Sequence, residues 1–243
     1  MIKSTQRNQF NDKPRLSIII PVYNEEKTLA VLLDKVLSSI PDVYEIIAVD
    51  DASSDKSSQI LRELSAEIPA LKLIFHAENG GKTAALRTGI SASSGDVIIV
   101  QDADLEYDPA DIPNLIAEFT DPTVDAVYGS RFTNPNKTGA RYIPHFLANR
   151  FLTSLSNLFT GYNLTDMETC YKAIRGDLLR DMTIRSERFG FEVEVTSYLA
   201  KHDAVLREMP ISYQGRSYSE GKKIGFRDGV MAVWYILKYH FTK

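Results

Sequence analysis

Four times within the first 105 residues, a short run of apolar, largely β-branched residues gives way to polar ones. The runs are LSIIIPVYN (16–24), YEIIAVDDAS (44–53), LKLIFHA (71–77) and GDVIIVQDADL (95–105). Between them, 25–40, 53–68 and 83–93 carry apolar residues at helical spacing. Strands of this length alternating with helices predict right-handed βαβ units on a parallel sheet. The expected fold is α/β: an open, mostly parallel, twisted sheet with helices on both faces. Such sheets bind ligands beyond the carboxyl ends of their strands. Three of those ends here carry Tyr23-Asn24-Glu25, Asp50-Asp51 and Asp102-Ala103-Asp104. Aspartate is a common turn former, so one such cluster would mean little. Three at one edge point to a site.

The second half is less regular. AVYGSRF (126–132) and 204–213 read as strands, and 186–201 and 226–241 as helices. Segment 145–161 presents Phe146, Leu147, Phe151, Leu155, Leu158 and Phe159 with few charges. No repeat or linker divides the chain. A single domain over 15–225 is expected, with an N-terminal extension (1–14) and a C-terminal amphipathic helix (226–243). At 44% hydrophobic and 25% charged residues the composition is globular, which excludes disorder and a coiled coil. One cysteine, Cys170, excludes a disulfide framework and cysteine-rich zinc sites. No apolar run approaches the roughly 20 residues of a membrane-spanning helix, and the N-terminus lacks a secretory h-region. A cytoplasmic chain is the expectation.

Charge is unevenly spread. Residues 1–130 carry 11 Lys+Arg against 21 Asp+Glu, a balance of −10, and 131–243 carry 17 against 11, a balance of +6. An acidic half suits a divalent cation, and a basic half suits phosphates or an anionic membrane surface. The net charge of −4 and sparse aromatic interleaving argue against nucleic acid.

Asp102 and Asp104 leave a strand end two residues apart and can turn toward one hard cation, Mg²⁺ or Mn²⁺, which keeps positions for water and phosphate. Glu106 extends the series. Asp50 or Asp51 suits a base N–H or ribose hydroxyls, although an Asx turn or helix cap is the plainer role for either. Gly80-Gly81-Lys82 resembles a phosphate cradle, but GxxxxGK[ST], GxGxxG and GxSxG are all absent. The four histidines are dispersed, without zinc-ligand spacing. Arg131, Arg150, Arg216, Lys222 and Lys223 are the cations suited to phosphate, arginine through bidentate geometry and lysine as a point charge.

Together, PVYNE (21–25), VDDASSD (49–55), the N-G-G-K segment (79–82), QDADLEYDP (101–109) and GSRF (129–132) closely resemble glycosyltransferase family 2. NRFLTSLSNLFTGYNLTDMETCYKAIR (149–175), RFGFEVEVT (188–196) and PISYQGRSYSEGKKIGFRDG (210–229) are similar to its dolichyl-phosphate mannosyltransferase and polyprenyl-phosphate glucosyltransferase branch. The resemblance spans about residues 15–230 and implies the GT-A fold. It implies a nucleotide lying against Pro21, Tyr23, Glu25, Val49 and Asp51, and a metal and diphosphate at Asp102, Ala103 and Asp104 with Glu106 as a further ligand. Mannosyltransferase members commonly have Gln at the position of Glu106. Arg131 matches a phosphate-contacting arginine, Arg150 more loosely an acceptor-phosphate arginine, and Arg216 and Lys222 the cations of a loop over donor and acceptor.

The implied activity is metal-dependent, inverting transfer of a hexose from a UDP-glucose- or GDP-mannose-type donor to polyprenyl or dolichyl phosphate. A lipid phosphate is already anionic and needs no general base. A glycan or other hydroxyl acceptor would need a carboxylate base, to be sought around Asp166-Met167-Glu168. A sugar-nucleotide-binding protein serving a membrane partner is the third reading. A lipid acceptor places the chain peripherally at the cytoplasmic face of the membrane, through 145–161 and 230–241 with Trp234, Tyr235 and Tyr239 near the headgroups, or through a separate membrane subunit.

Overall fold

The computed structural model describes residues 10, 13–133, 143–187, 190–215 and 226–242. The first half alternates as its sequence predicts: β1 (Leu16–Val22), α1 (Leu29–Ser39), β2 (Glu45–Asp50), α2 (Ser57–Glu67), β3 (Leu71–Phe75), α3 (Lys82–Ala92) and β4 (Val97–Val100). After a short helix α4 (Ile112–Ala117) come β5 (Ala126–Ser130), α5 (Ile143–Thr160), β6 (Lys172–Arg175), α6 (Gly176–Arg180), α7 (Phe191–Lys201), β7 (Leu206–Pro210) and α8 (Phe226–Phe241). The strands form one sheet in the order β3-β2-β1-β4-β6-β5-β7. All run parallel except β6, which is antiparallel to both neighbours.

β1, β2 and β4 read as continuous apolar runs because helices cover both of their faces. Ile18, Ile19, Ile20, Ile46, Ile47, Ile98 and Ile99 are all fully buried. Each such side chain contributes roughly 1.5–3 kcal/mol relative to exposure. β3 and β7, at the edges, are only partly covered. Helix α3 lies so close on β1 that a Cβ at Gly89 would stand 2.5 Å from Ile19 Cγ2, so only glycine fits there.

The strand order locates the ligand edge. The chain winds outward from β1 to β3, then returns through α3 to β4 on the other side of β1. With right-handed crossovers, α3 lies on the opposite face from α1 and α2, and a crevice opens between the ends of β1 and β4. The loops leaving those strands carry Tyr23-Asn24-Glu25 and Asp102-Ala103-Asp104.

Boundaries shift where polar residues end each element. The run 95–105 is a strand only over Val97–Val100, so Asp102 and Asp104 lie in the loop beyond it. β6 is absent from the sequence-based expectation, because KAIR places two cations in four residues, yet Lys172 and Arg175 are both buried. Its reversed direction brings the residues before it, 166–171, to the ligand edge.

α8 packs through Ala232, Tyr235, Ile236 and Tyr239, which are buried against α5 and α7. The expectation that Tyr235 and Tyr239 face headgroups is therefore corrected: the two rings stack 5.6 Å apart on the inward side, and only Trp234 of the three is exposed. Among the described residues, no helix is long and apolar enough to cross a membrane.

Candidate active site

The loop after β1 is latched to the loop after β2. Asn24, in left-handed backbone (φ 55°), accepts from the Ser54 amide at 2.8 Å, and the Glu25 amide donates to Ser57 Oγ at 2.9 Å. Glu26 and Lys56 complete the seam, the Glu26 amide donating to Asp55 and the Lys56 amide to Glu26. Tyr23 stands exposed and Pro21 half-buried beside this seam. Glu25 accepts from the Thr28 hydroxyl at 3.2 Å. Val49 is fully buried beneath the edge, so its side chain reaches no open surface.

Asp50, the last residue of β2, and Asp51 just beyond it take structural partners. Asp50 accepts from the Ser53 amide at 3.1 Å and from the Ser58 hydroxyl. Asp51 accepts from the Gly80 amide (2.9 Å) and the Gly81 amide (2.7 Å), and lies 2.7 Å from His76 Nδ1. The glycine turn that resembles a phosphate cradle therefore cradles Asp51. Gly81 needs its lack of a Cβ there, because its φ is +84°.

Lys82, which opens α3, crosses to the β4 loop. Its ammonium lies 2.8 Å from Asp102 Oδ1 and 3.4 Å from Glu192 Oε1. Burial alone would push this lysine down, but the facing carboxylates of Asp102 and Glu192 hold it well above its ordinary value. At Asp104 the same cation counts for less. Burial, then the charges of Asp102 and Glu106, push its carboxyl up to about 7. Ala103, between them, is buried. Leu105 then adopts φ +61°, a strain of roughly 1–2 kcal/mol for a residue with a side chain. That kink lets the Glu106 amide donate to Asp104 Oδ1 at 3.1 Å. The Glu106 carboxylate accepts from the Tyr213 hydroxyl at 2.7 Å.

Across the same edge, Arg131 forms a two-point pair with the fully buried Asp166, Nε–Oδ2 at 2.7 Å and Nη2–Oδ1 at 2.8 Å. Asp166 also accepts from the Arg131 amide at 3.0 Å and Asn149 Nδ2 at 3.2 Å. The guanidinium carbon lies 5.1 Å from the Tyr213 ring centre and 5.5 Å from that of Phe132. Arg150 is exposed on α5, one residue beyond Asn149. Arg216 and Lys222 lie outside the described residues.

Four residues lie within segments the sequence singles out, but their partners are not legible there. Lys82, Glu192 and Asp166 form ion pairs across 20 to 110 positions of sequence, which no local pattern reports. Glu168 is the fourth: its Oε1 is buried without a hydrogen-bond partner, and burial and the Glu192 charge raise its carboxyl to about 7. Lys172 lies buried nearby and donates to the Met167 and Thr169 carbonyls; burial lowers it to about 8 despite Glu192 and Glu168.

Among the described residues, no three His, Cys, Asp or Glu side chains stand together as a closed metal cluster. The donor set nonetheless fits a hard cation that keeps other positions for water and phosphate. Asp102 and Asp104 are oxygen donors at the crevice, and the raised Asp104 marks negative charge that Lys82 leaves uncompensated.

Fold and site define a GT-A-type α/β protein with its carboxylates at the switch in strand order. The sequence profile described as Glycosyl transferase family 2 matches residues 17–183, and the chain belongs to that family. It is 31% identical to the undecaprenyl-phosphate 4-deoxy-4-formamido-L-arabinose transferase of Edwardsiella ictaluri, over 85% of this chain and 62% of that protein. It is 29% identical to the undecaprenyl-phosphate mannosyltransferase of Micrococcus luteus, over 87% and 88%. The chain thus spans about three-fifths of the length of several curated relatives, such as the Edwardsiella enzyme. Glucosyl-3-phosphoglycerate synthase of Mycobacterium tuberculosis, solved with UDP, superposes with a TM-score of 0.70 at 18% identity, over 95% of this chain and 81% of that one, which shows a shared fold.

Proposed function

We propose that this chain transfers a hexose from a nucleoside-diphosphate sugar to polyprenyl phosphate, with inversion at the anomeric carbon. The observation that carries the reading is the Asp102–Asp104 pair at the β1–β4 crevice, facing the Arg131–Asp166 pair across one edge. The undecaprenyl-phosphate transferases among its relatives supply the acceptor class. The superposed synthase, also solved with Mn²⁺ and UDP-glucose, supports a nucleotide sugar and a divalent ion as ligands.

Asp102 and Asp104 would hold the ion, Mn²⁺ or Mg²⁺, which when bound acts as a Lewis acid toward the departing diphosphate. Tyr23 and Glu25 stand on the nucleotide side. Arg131, oriented by Asp166, offsets repulsion between an anionic acceptor and the diphosphate and aims the acceptor oxygen at the anomeric carbon. Attack in line from the face opposite the leaving group inverts that centre. Arg150, Arg216 and Lys222 are the further phosphate-contacting cations of this proposal.

Two apolar stripes support an acceptor that lives in a bilayer, and hence peripheral binding at a membrane surface. Leu147, Phe151 and Leu158 are exposed on α5, and Val230, Trp234, Leu237 and Phe241 on α8. The stripes adjoin where Phe159 contacts His240 and Phe241. Lys238 lies 4.7 Å from the Trp234 ring centre, a cation beside an interfacial aromatic.

A second reading, transfer to a glycan or other hydroxyl, draws on Glu168, a carboxyl poised near neutrality with one oxygen unpartnered. The test is transfer of labelled sugar from UDP-glucose and GDP-mannose, separately, to polyprenyl phosphate in detergent with Mn²⁺. Organic-phase label from one donor, lost with EDTA, supports the lipid-phosphate acceptor. Metal-dependent release of free sugar without organic-phase label supports the hydroxyl acceptor. Metal-dependent nucleotide binding without turnover would refute both in favour of a binding protein.

A further inference from the structure

Tyr213 follows β7 and precedes the basic segment at 216–223, and the motif that contains it, 210–229, assigns it no role. Its surroundings do. The hydroxyl donates to Glu106 Oε2 at 2.7 Å, the next amide, Gln214, donates to the Glu106 carbonyl at 2.9 Å, and Tyr213 pairs with Tyr107 as an isolated antiparallel bridge. The loop after β4 is therefore fastened at Glu106 and Tyr107 by backbone and side chain together. The ring packs edge-on to Tyr107 at 5.2 Å and lies beneath the Arg131 guanidinium at 5.1 Å. One residue thus touches the carboxylate next to Asp104 and the cation paired with Asp166.

We propose that Tyr213 is a positioning residue for the carboxylate edge, holding Glu106 close to Asp104 against their mutual repulsion. The proposal rests on the reading of that edge as the site of a divalent ion and diphosphate. Three acidic side chains, Asp102, Asp104 and Glu106, crowd a loop of five residues, and of the three Lys82 forms its ion pair with Asp102. Like charges in a partly buried loop drive the outermost carboxylate toward water. Leu105, strained immediately before Glu106, gives the backbone a further reason to relax outward. The Tyr213 hydroxyl opposes both, because a hydrogen bond to a charged acceptor is short and roughly twice as strong as a neutral one. Packing on Tyr107 and Arg131 fixes the ring, so the donor is already in place before any ligand arrives.

Tyr213→Phe removes the hydroxyl and keeps the ring with its Tyr107 and Arg131 contacts. The measurement is Mn²⁺ binding by the full chain in the presence of UDP or GDP, followed by the spin-resonance signal of free Mn²⁺ and independent of turnover. The Mn²⁺ dissociation constant should rise about tenfold, the loss of part of one charged hydrogen bond, while the thermal midpoint stays near the parent's. Glu106→Gln keeps an acceptor for Tyr213 but removes the repulsion and the charged bond, so Tyr213→Phe should weaken binding less in that background than in the parent. In a Glu106→Ala background the same substitution should have no further effect. Unchanged Mn²⁺ affinity in Tyr213→Phe, or an equal loss in the Glu106→Ala background, overturns the positioning role alone. Failure of the parent chain to bind Mn²⁺ with either nucleotide overturns the reading of the edge, and this proposal with it.

Discussion

Replacing Asp166 with asparagine should destabilise the protein by about 3 kcal/mol, through a cation left behind rather than a contact removed. Asp166 is fully buried and Arg131 is 14% exposed. The carboxylate accepts from Arg131 Nε, Nη2 and amide, and from Asn149. Asparagine has nearly the same shape, but one acceptor becomes an NH₂ that faces a guanidinium N–H. Removing one partner of a buried ion pair costs about 3–5 kcal/mol, and the partial exposure of Arg131 argues for the lower end. For a chain of 243 residues, about 3 kcal/mol lowers the thermal midpoint by roughly 6–12 °C. Urea denaturation should show a reduced midpoint with an unchanged slope. The mechanism is isolated by Arg131→Met, which removes the buried cation. In that background Asp166→Asn should cost no more than about 1 kcal/mol, a coupling of about 2 kcal/mol between neighbours. Additive effects, or a loss below about 1 kcal/mol in the single variant, would refute the argument from buried charge.

Lys82→Met leaves Asp102 and Glu192 facing each other without a cation, and should cost about 2–3 kcal/mol. Added Mn²⁺ should raise the thermal midpoint of this variant more than that of the parent, because the ion supplies the missing positive charge. Ala52→Gly should stabilise by about 0.5–1 kcal/mol in urea denaturation, since Ala52 sits at φ +58° where a Cβ is strained and the gain exceeds the added chain entropy. Asp104 has a folded value raised to about 7 from an unfolded value of about 3.9, so its contribution to the metal-free fold is full below about pH 4 and lost as pH rises through 7. Mn²⁺ must displace that proton below pH 7, so its affinity should be about tenfold higher at pH 8 than at pH 6 in titrations without nucleotide.

The contrast between β4 and β6 shows how far sequence reading reaches. VIIV followed by Asp102 and Asp104 is legible because a strand buried on both faces must be apolar, and its end must turn polar where it meets water. KAIR is not, because Lys172 is buried over the Tyr128 ring and Arg175 donates to the Val124 and Pro122 carbonyls. Arg175 takes its acceptors, and Lys172 its ring, from distant segments, so their charge predicts exposure that does not occur. Asp51 is a similar case: the strand end is legible, but its engagement by the Gly80 and Gly81 amides is a meeting of two loops.

Local alternation of apolar and polar residues therefore determined the α/β class, the first four strands and the carboxylates at their ends, since periodicity and strand termination depend on near neighbours alone. The order of strands, the reversal at β6, and the pairing of Lys82 with Asp102 and Glu192 and of Arg131 with Asp166 were decided by tertiary structure. A buried charge is tolerated only where the fold delivers its partner, and that partner is chosen by proximity in space rather than along the chain.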